Sequence, residues 1–288
     1  MDTEVEQQVV GNGEEGLGEG PEGDQPMSFW EHIAELRRRL FRIVIGVVAG
    51  FTISWGFAAQ IIEVLKQPLL RAWDKAEVLG EPDLMVLGIQ DPLMNDVRVA
   101  LMGGIFIALP VIFYQVWMFV SPGLYRHEKR FVIPFVCTSA AMFALGSAFA
   151  FRFVLPFGYQ WLLEYGGTTY RVQLELGNYL KGTTRLLLTF GLVFEFPLLV
   201  AFLAKTGAIT HLSLLKFWKG AVVIIFIVAG FLTPPEPVSQ SLMAGPMILL
   251  FFLSVGVAYL INPGEAEVER KDDPAQDSLE NEDLPPQN

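Results

Sequence analysis

Six long apolar blocks, separated by polar connections, constrain this chain more than any other feature. A helix needs roughly 20 apolar residues to cross about 30 Å of hydrocarbon. The blocks run from Leu40 to Ala59, Val99 to Val120, Phe131 to Leu155, Leu186 to Ala204, Phe217 to Leu232 and Leu242 to Ile261. The second contains Pro110, the third carries Arg152 near its end, and the fourth holds Glu195 and Pro197. The fifth is short and carries Lys219, so it needs local bilayer thinning or support from neighbours. Composition agrees: 52% of residues are hydrophobic and 18% are charged, where a soluble domain carries about 25% charge. These features predict an all-α integral membrane protein with six transmembrane helices. No internal repeat is visible, which gives an inverted-repeat transporter little support.

The ends read differently. Residues 1–26 are rich in Gly, Glu and Gln, and residues 263–288 in Pro, Glu and Asp. Neither composition can bury a core, so both are expected to be disordered acidic tails around a membrane domain at 27–262. The N-terminal stretch lacks the basic start and apolar run of a signal peptide, and no cleavage is expected. Most of the net charge of −11 sits in these tails and says little about partners of the membrane core. The lone Cys137 excludes a disulfide framework. Three scattered histidines, at 32, 127 and 211, argue against a metal site, and no cofactor is expected.

Orientation follows from the basic residues. Six spans put both tails on one side, with 12 Lys and Arg on that side against 8 on the other. The short 121–130 connection is dense in cations and the 233–241 connection has none, so both tails are placed in the cytoplasm. The loops at 60–98 and 156–185 are then extracytoplasmic and long enough for short surface helices that form a cap.

Several stretches carry candidate chemistry. Ser28 and Glu31 form a capping box that starts a helix, which continues through His32, Glu35 and Arg37 to Arg39 into the first span. Phe29, Ile33, Leu36 and Leu40 give it an apolar stripe along the interface. The arginines alone would serve as a positive-inside signal, and Glu35 alone could pair with Arg39. Glu128 stands in the first turn of the third span, where an acid suits the helix dipole. Glu195 lies amid apolar residues, with Arg185 and Lys205 the nearest bases in sequence. Charged and unpaired there, it would be costly, so it must be protonated, hydrated or partnered from another helix. The expectation is a water-reachable hollow around it. Before the sixth span, Thr233-Pro234-Pro235-Glu236-Pro237-Val238-Ser239-Gln240 ends one helix and opens the next with polar groups beside apolar surface.

Taken in order, these motifs resemble the TatC family of the twin-arginine protein translocase. The matching stretches are His32 to Leu40, Pro110 to Phe119, Leu124 to Arg130, Phe190 to Pro197 and Leu232 to Gln240. The resemblance covers about residues 28–262. It implies a six-helix, cup-shaped receptor in the bacterial cytoplasmic (inner) membrane, with the last two helices short. It further implies binding of twin-arginine signal peptides of folded proteins, with a TatB-type partner, and recruitment of TatA-type subunits for transport driven by the proton-motive force. Self-association in a larger complex and contact with membrane lipid are expected, and contact with nucleic acid is not. Carried onto this chain, signal-peptide binding falls to Glu35, Glu128, Arg37, His32 and Phe119. The intramembrane polar site is Glu195, and partner-helix contact falls to Thr233, Glu236, Ser239 and Gln240. Two features depart from the family. The last span has Leu249-Leu250-Phe251-Phe252 where an acid is often found, and Glu236 with Pro237 stands where Asp is common.

The residues fit this reading. Arginine binds carboxylate bidentately, so paired carboxylates at the membrane surface can select a signal with two adjacent arginines over one with lysines. The rival is a proton-coupled small-solute transporter built around Glu195, with its substrate cavity at the bilayer midplane. An intramembrane enzyme is not expected, because no H-E-x-x-H or G-x-S-x-G motif is present.

Overall fold

In a computed structural model, residues 29–76, 82–120, 132–166, 173–232 and 237–262 are described. Helix α1 spans Phe29–Trp55 and α2 spans Ala58–Lys75. Strand β1, Leu84–Met85, precedes α3, Asp91–Val120. Helix α4, Val132–Phe149, continues through a π-helical turn at Ala150–Val154 into α5, Leu155–Gly166. Strand β2, Leu174–Glu175, leads into α6, Leu176–Phe194, and then α7, Phe196–Lys205. The short α8, His211–Lys216, precedes α9, Trp218–Leu232, and α10, Pro237–Ile261. The chain divides into a unit ending at Arg38 and one starting at Arg39. The packing below concerns the second.

Each apolar block falls on these helices. Among the described residues, four stretches are long and apolar enough to cross a membrane: Asp91–Phe119, Ile133–Tyr165, Leu176–Lys205 and Gln240–Ile261. Helices α1 and α2 pass the same test together but are bent by 85°. The fifth block is the shorter apolar helix Trp218–Leu232, as its sequence predicts. Block six departs from its expected shortness. Helix α10 has 25 residues, enough for about 37 Å at 1.5 Å per residue, and Pro246 lies inside it. The third block also runs further than its expected end at Leu155, because helix continues to Gly166.

Local chemistry sets the breaks. Asp91 and Pro92 open α3, where the Asp91 carboxylate accepts the Gly88 amide at 2.6 Å. Gly207, at φ +74°, ends the turn after α7 in a conformation that favours glycine. Thr210 then caps α8 in a reciprocal box with Ser213. The loops expected to form a cap hold α2, α5 and a feature that hydropathy does not reveal. Strand β1 pairs in parallel with β2, Leu84 opposite Leu174 and Met85 opposite Glu175.

Small residues let the helices close. A Cβ on Gly50 would lie 2.5 Å from the Gly104 carbonyl oxygen, so α1 and α3 meet backbone to backbone. Gly46, one turn earlier on α1, faces Val111 and Ala108. This is the close-approach packing that membrane helices use when no hydrophobic effect separates protein from lipid. Helices α4 and α6 repeat it. A Cβ on Gly146 would lie 2.5 Å from the Phe190 carbonyl oxygen, and the Ser147 hydroxyl donates to the Leu187 carbonyl at 2.9 Å. The α4–α6 seam buries Phe190, Leu187 and Phe143.

Candidate functional site

The fourth apolar span is broken at Glu195, the residue between α6 and α7. Pro197, two residues on, has no amide hydrogen and cannot continue the ladder of α6. The backbone bridges the gap through Glu195 N–H to the Leu192 carbonyl (3.1 Å) and Leu199 N–H to the Glu195 carbonyl (2.9 Å). Glu195 thereby ends one helix and begins the next. An acid is unfavourable at the first position and favourable at the second.

The side chain is half-buried and turns toward α4. The Ser139 hydroxyl and the Phe143 backbone are its hydrogen-bonding neighbours. Ser139 is fully buried, and it also accepts the indole N–H of Trp117 at 2.8 Å. A hydroxyl that accepts from an indole keeps its own hydrogen to donate, which runs the chain Trp117, Ser139, Glu195. The second carboxyl oxygen, Oε1, is buried with no partner among the described residues. The surroundings are aromatic. Trp117 packs on Phe135 with centroids 4.7 Å apart and on Phe202 at 5.1 Å, while Phe194 packs on Phe149.

A neighbouring helix partners Glu195, one of the three options its burial left open. The sequence reading missed Ser139, which lies in an apolar span where a hydroxyl has no water to bind. It included Trp117 only as part of a motif.

The surface-motif residues are placed as follows. Glu35 is half-buried on α1, and Arg37 and His32 are exposed there. Phe119 is half-buried on the last turn of α3. Glu128, Thr233 and Glu236 lie outside the described residues, and Ser239 is described only as part of α10. Gln240 is not a free polar group at an edge, because its amide donates to the Phe226 carbonyl at 2.7 Å and ties α10 to α9. The exposed face of α9 is apolar: Val223, Ile224, Ile227 and Phe231. Between α3 and α4, a cavity of about 360 Å³ is lined by Pro110, Val111, Tyr114, Gln115, Ile133 and Val136. The Gln115 amide oxygen is buried there and has no partner among the described residues. Also among the described residues, no group of three or more His, Cys, Asp or Glu side chains could hold a metal ion.

Comparison with known proteins gives these features a common frame. The family model for the Sec-independent protein translocase protein TatC matches residues 31–246. The TatC protein of Desulforapulum autotrophicum is 37% identical over 262 residues, covering 91% of this chain and 93% of that protein. That of Aquifex aeolicus is 35% identical over 246 residues, covering 85% of this chain and all of the relative. A crystal structure of the twin arginine translocase receptor TatC superposes with a TM-score of 0.72 at 36% identity, covering 80% of this chain and 99% of that one. An apolar multi-helix chain whose intramembrane glutamate sits at a proline break, matched in sequence and fold over nearly its whole membrane domain, belongs to the TatC family of Sec-independent protein translocase proteins.

Proposed function

We propose that this chain is the receptor core of a twin-arginine protein translocase in a bacterial cytoplasmic membrane, with both tails in the cytoplasm. The observation that carries this reading is the likeness, at 36% identity and a TM-score of 0.72, to the twin arginine translocase receptor TatC. The acidic tails, 1–26 and 263–288, flank the membrane domain at 27–262 and lie outside the described residues. Glu35 and Glu128 each accept one arginine of a twin-arginine signal peptide. His32, Arg37 and Phe119 also serve signal-peptide binding. The α9 face with Val223, Ile227 and Phe231, together with Thr233, Glu236, Ser239 and Gln240, docks the single helix of a TatB-type or TatA-type partner. Glu195 and its Ser139 neighbour supply the intramembrane polar contact used during transport driven by the proton-motive force. The work is recognition and rearrangement, with no substrate bond made or broken, so the chain is not an enzyme. Several copies assemble in the working complex.

The test is binding of a twin-arginine peptide and its twin-lysine control to the purified protein. Glu35→Gln or Glu128→Gln should weaken the arginine peptide by about 1.5–3 kcal/mol, the value of a charged hydrogen bond. The lysine peptide should change much less. Equal losses for the two peptides would reduce the acids to general electrostatics.

A further inference from the structure

A second cavity, of about 560 Å³, lies beside β2, between α2, α5, α6 and α10. That volume is in the range of about 300–1,000 Å³ typical of sites for whole small molecules. Leu155, Leu186, Leu242 and Met243 form apolar walls, and Gln173, Glu175 and Asn178 form a polar rim. The space is left by two glycines on facing helices. A Cβ on Gly158 would meet nothing closer than Leu242 at 4.0 Å, and one on Gly182 nothing closer than the Tyr159 hydroxyl at 4.0 Å. Unlike Gly146, neither is required by backbone contact.

Two observations place this cavity at the headgroup level of a bilayer. On α5, within a turn of Gly158 and Leu162, Trp161 and Tyr165 stack at 5.7 Å, the aromatic signature of a membrane interface. Beside the rim, the loop at 86–89 exposes apolar side chains off any helix: Leu87, which lines the cavity, is 72% exposed and Ile89 fully so. The charge at the rim is specific. Glu175 is half-buried and accepts a hydrogen bond from Asn178, and among the described residues no cation pairs with it. Arg98, the nearby base, is turned instead to the Asn95 side chain at 3.2 Å and the Gly177 carbonyl at 3.0 Å. An apolar slot beneath a carboxylate with no cationic partner among the described residues matches a molecule with a hydrocarbon chain and a cationic head. It disfavours an anionic head.

We propose that this cavity holds one acyl chain of a membrane phospholipid whose headgroup ends in a primary ammonium, the chain against Leu155, Leu186 and Met243 and the ammonium at Glu175. The site does not depend on which membrane face is cytoplasmic, nor on signal-peptide binding.

The test is native mass spectrometry of the purified full chain in neutral detergent, titrated with dioleoyl phosphatidylethanolamine or dioleoyl phosphatidylglycerol. The wild type should retain the ethanolamine lipid about tenfold better, the low end of what a charged hydrogen bond supplies. Glu175→Gln should bring the two lipids to near parity while keeping total retention. Gly158→Leu and Gly182→Leu should fill the slot and remove both lipids without lowering the melting temperature. The Glu175→Gln arm keeps the test decisive if a leucine variant does not fold. Equal retention of the two lipids by the wild type overturns the proposal. So does retention unchanged by either folded leucine variant.

Discussion

Helix α6 has a glutamate at each end, and the two carboxylates live by opposite rules. Glu175 precedes Leu176, at the positive end of the helix dipole, on the rim of a cavity. Glu195 follows Phe194, at the negative end, against a wall of aromatic rings. The first is supported by its position and, among the described residues, by the neutral Asn178 side chain. The second stands against its own helix dipole and is supported by a break that makes it the first residue before α7 and by the hydroxyl of Ser139. The glycines differ in the same way. At the Glu195 end, Gly146 and Gly191 touch backbone or ring across the α4–α6 seam; at the Glu175 end, a Cβ on Gly158 or Gly182 would come no closer than 4.0 Å to its nearest neighbour. One end is built by close packing and the other by omission. The difference teaches that a buried acid in a membrane protein needs a rigid donor, whereas one at the rim can wait for a ligand.

The largest expected effect tests the packing half of this contrast. Gly146→Val places carbon on the Phe190 carbonyl and the Phe194 ring, which cannot yield without separating α4 from α6. It should destabilise the protein by about 3 kcal/mol or more, read as a lower melting temperature in detergent. Gly182→Ala at the other end should be neutral or stabilising by up to about 1 kcal/mol, because alanine is the better helix former and nothing is in its way. If both substitutions destabilise equally, the two ends are packed alike and the contrast is broken.

Ser139→Ala comes next. It removes the side-chain donor that Glu195 has on α4 and leaves the half-buried Trp117 indole N–H without its acceptor. The cost should be about 1–3 kcal/mol of stability. The double substitution with Glu195→Gln should be clearly less than additive, since both residues belong to one chain of hydrogen bonds. Strict additivity would mean that Ser139 and Glu195 do not act together. The smallest effect belongs to Glu175→Gln. Glutamine keeps the Asn178 contact and loses only the interaction of charge with the helix N-terminus, a few tenths of a kcal/mol in thermal unfolding. A loss above about 1 kcal/mol would show that Glu175 is a structural acid and not a poised one.

Much of this was legible in the residues. Hydropathy marks each membrane helix because a span must be apolar along its length. Glu195 stands out because an acid in such a span demands an explanation. The short fifth span was visible in the same way. Ser139 was not, since one hydroxyl in an apolar helix can equally well bond its own backbone. Gln240 was read as a polar edge group and proves to tie α9 to α10. The β1–β2 pair joins residues ninety apart through two positions on each strand, too short to leave a periodic pattern. The continuation of the third block beyond Leu155 was hidden because Pro156 and Gly158 read as breakers, although a proline in the first turn of a helix does not end it.

The sequence by itself therefore determined the class of the molecule: where the apolar spans lie, where proline and glycine break them, and which acid is stranded inside. These depend on the free energy of each segment in lipid, a property each segment carries alone. Only the tertiary structure decided what each polar group meets. Gly146 lets α4 approach α6 closely enough for Ser139 to reach Glu195, while Gly158 and Gly182 leave a slot under Glu175. The same residue type produces contact in one place and space in the other, because the outcome depends on which surface lies opposite, and that is set by the packing of distant helices.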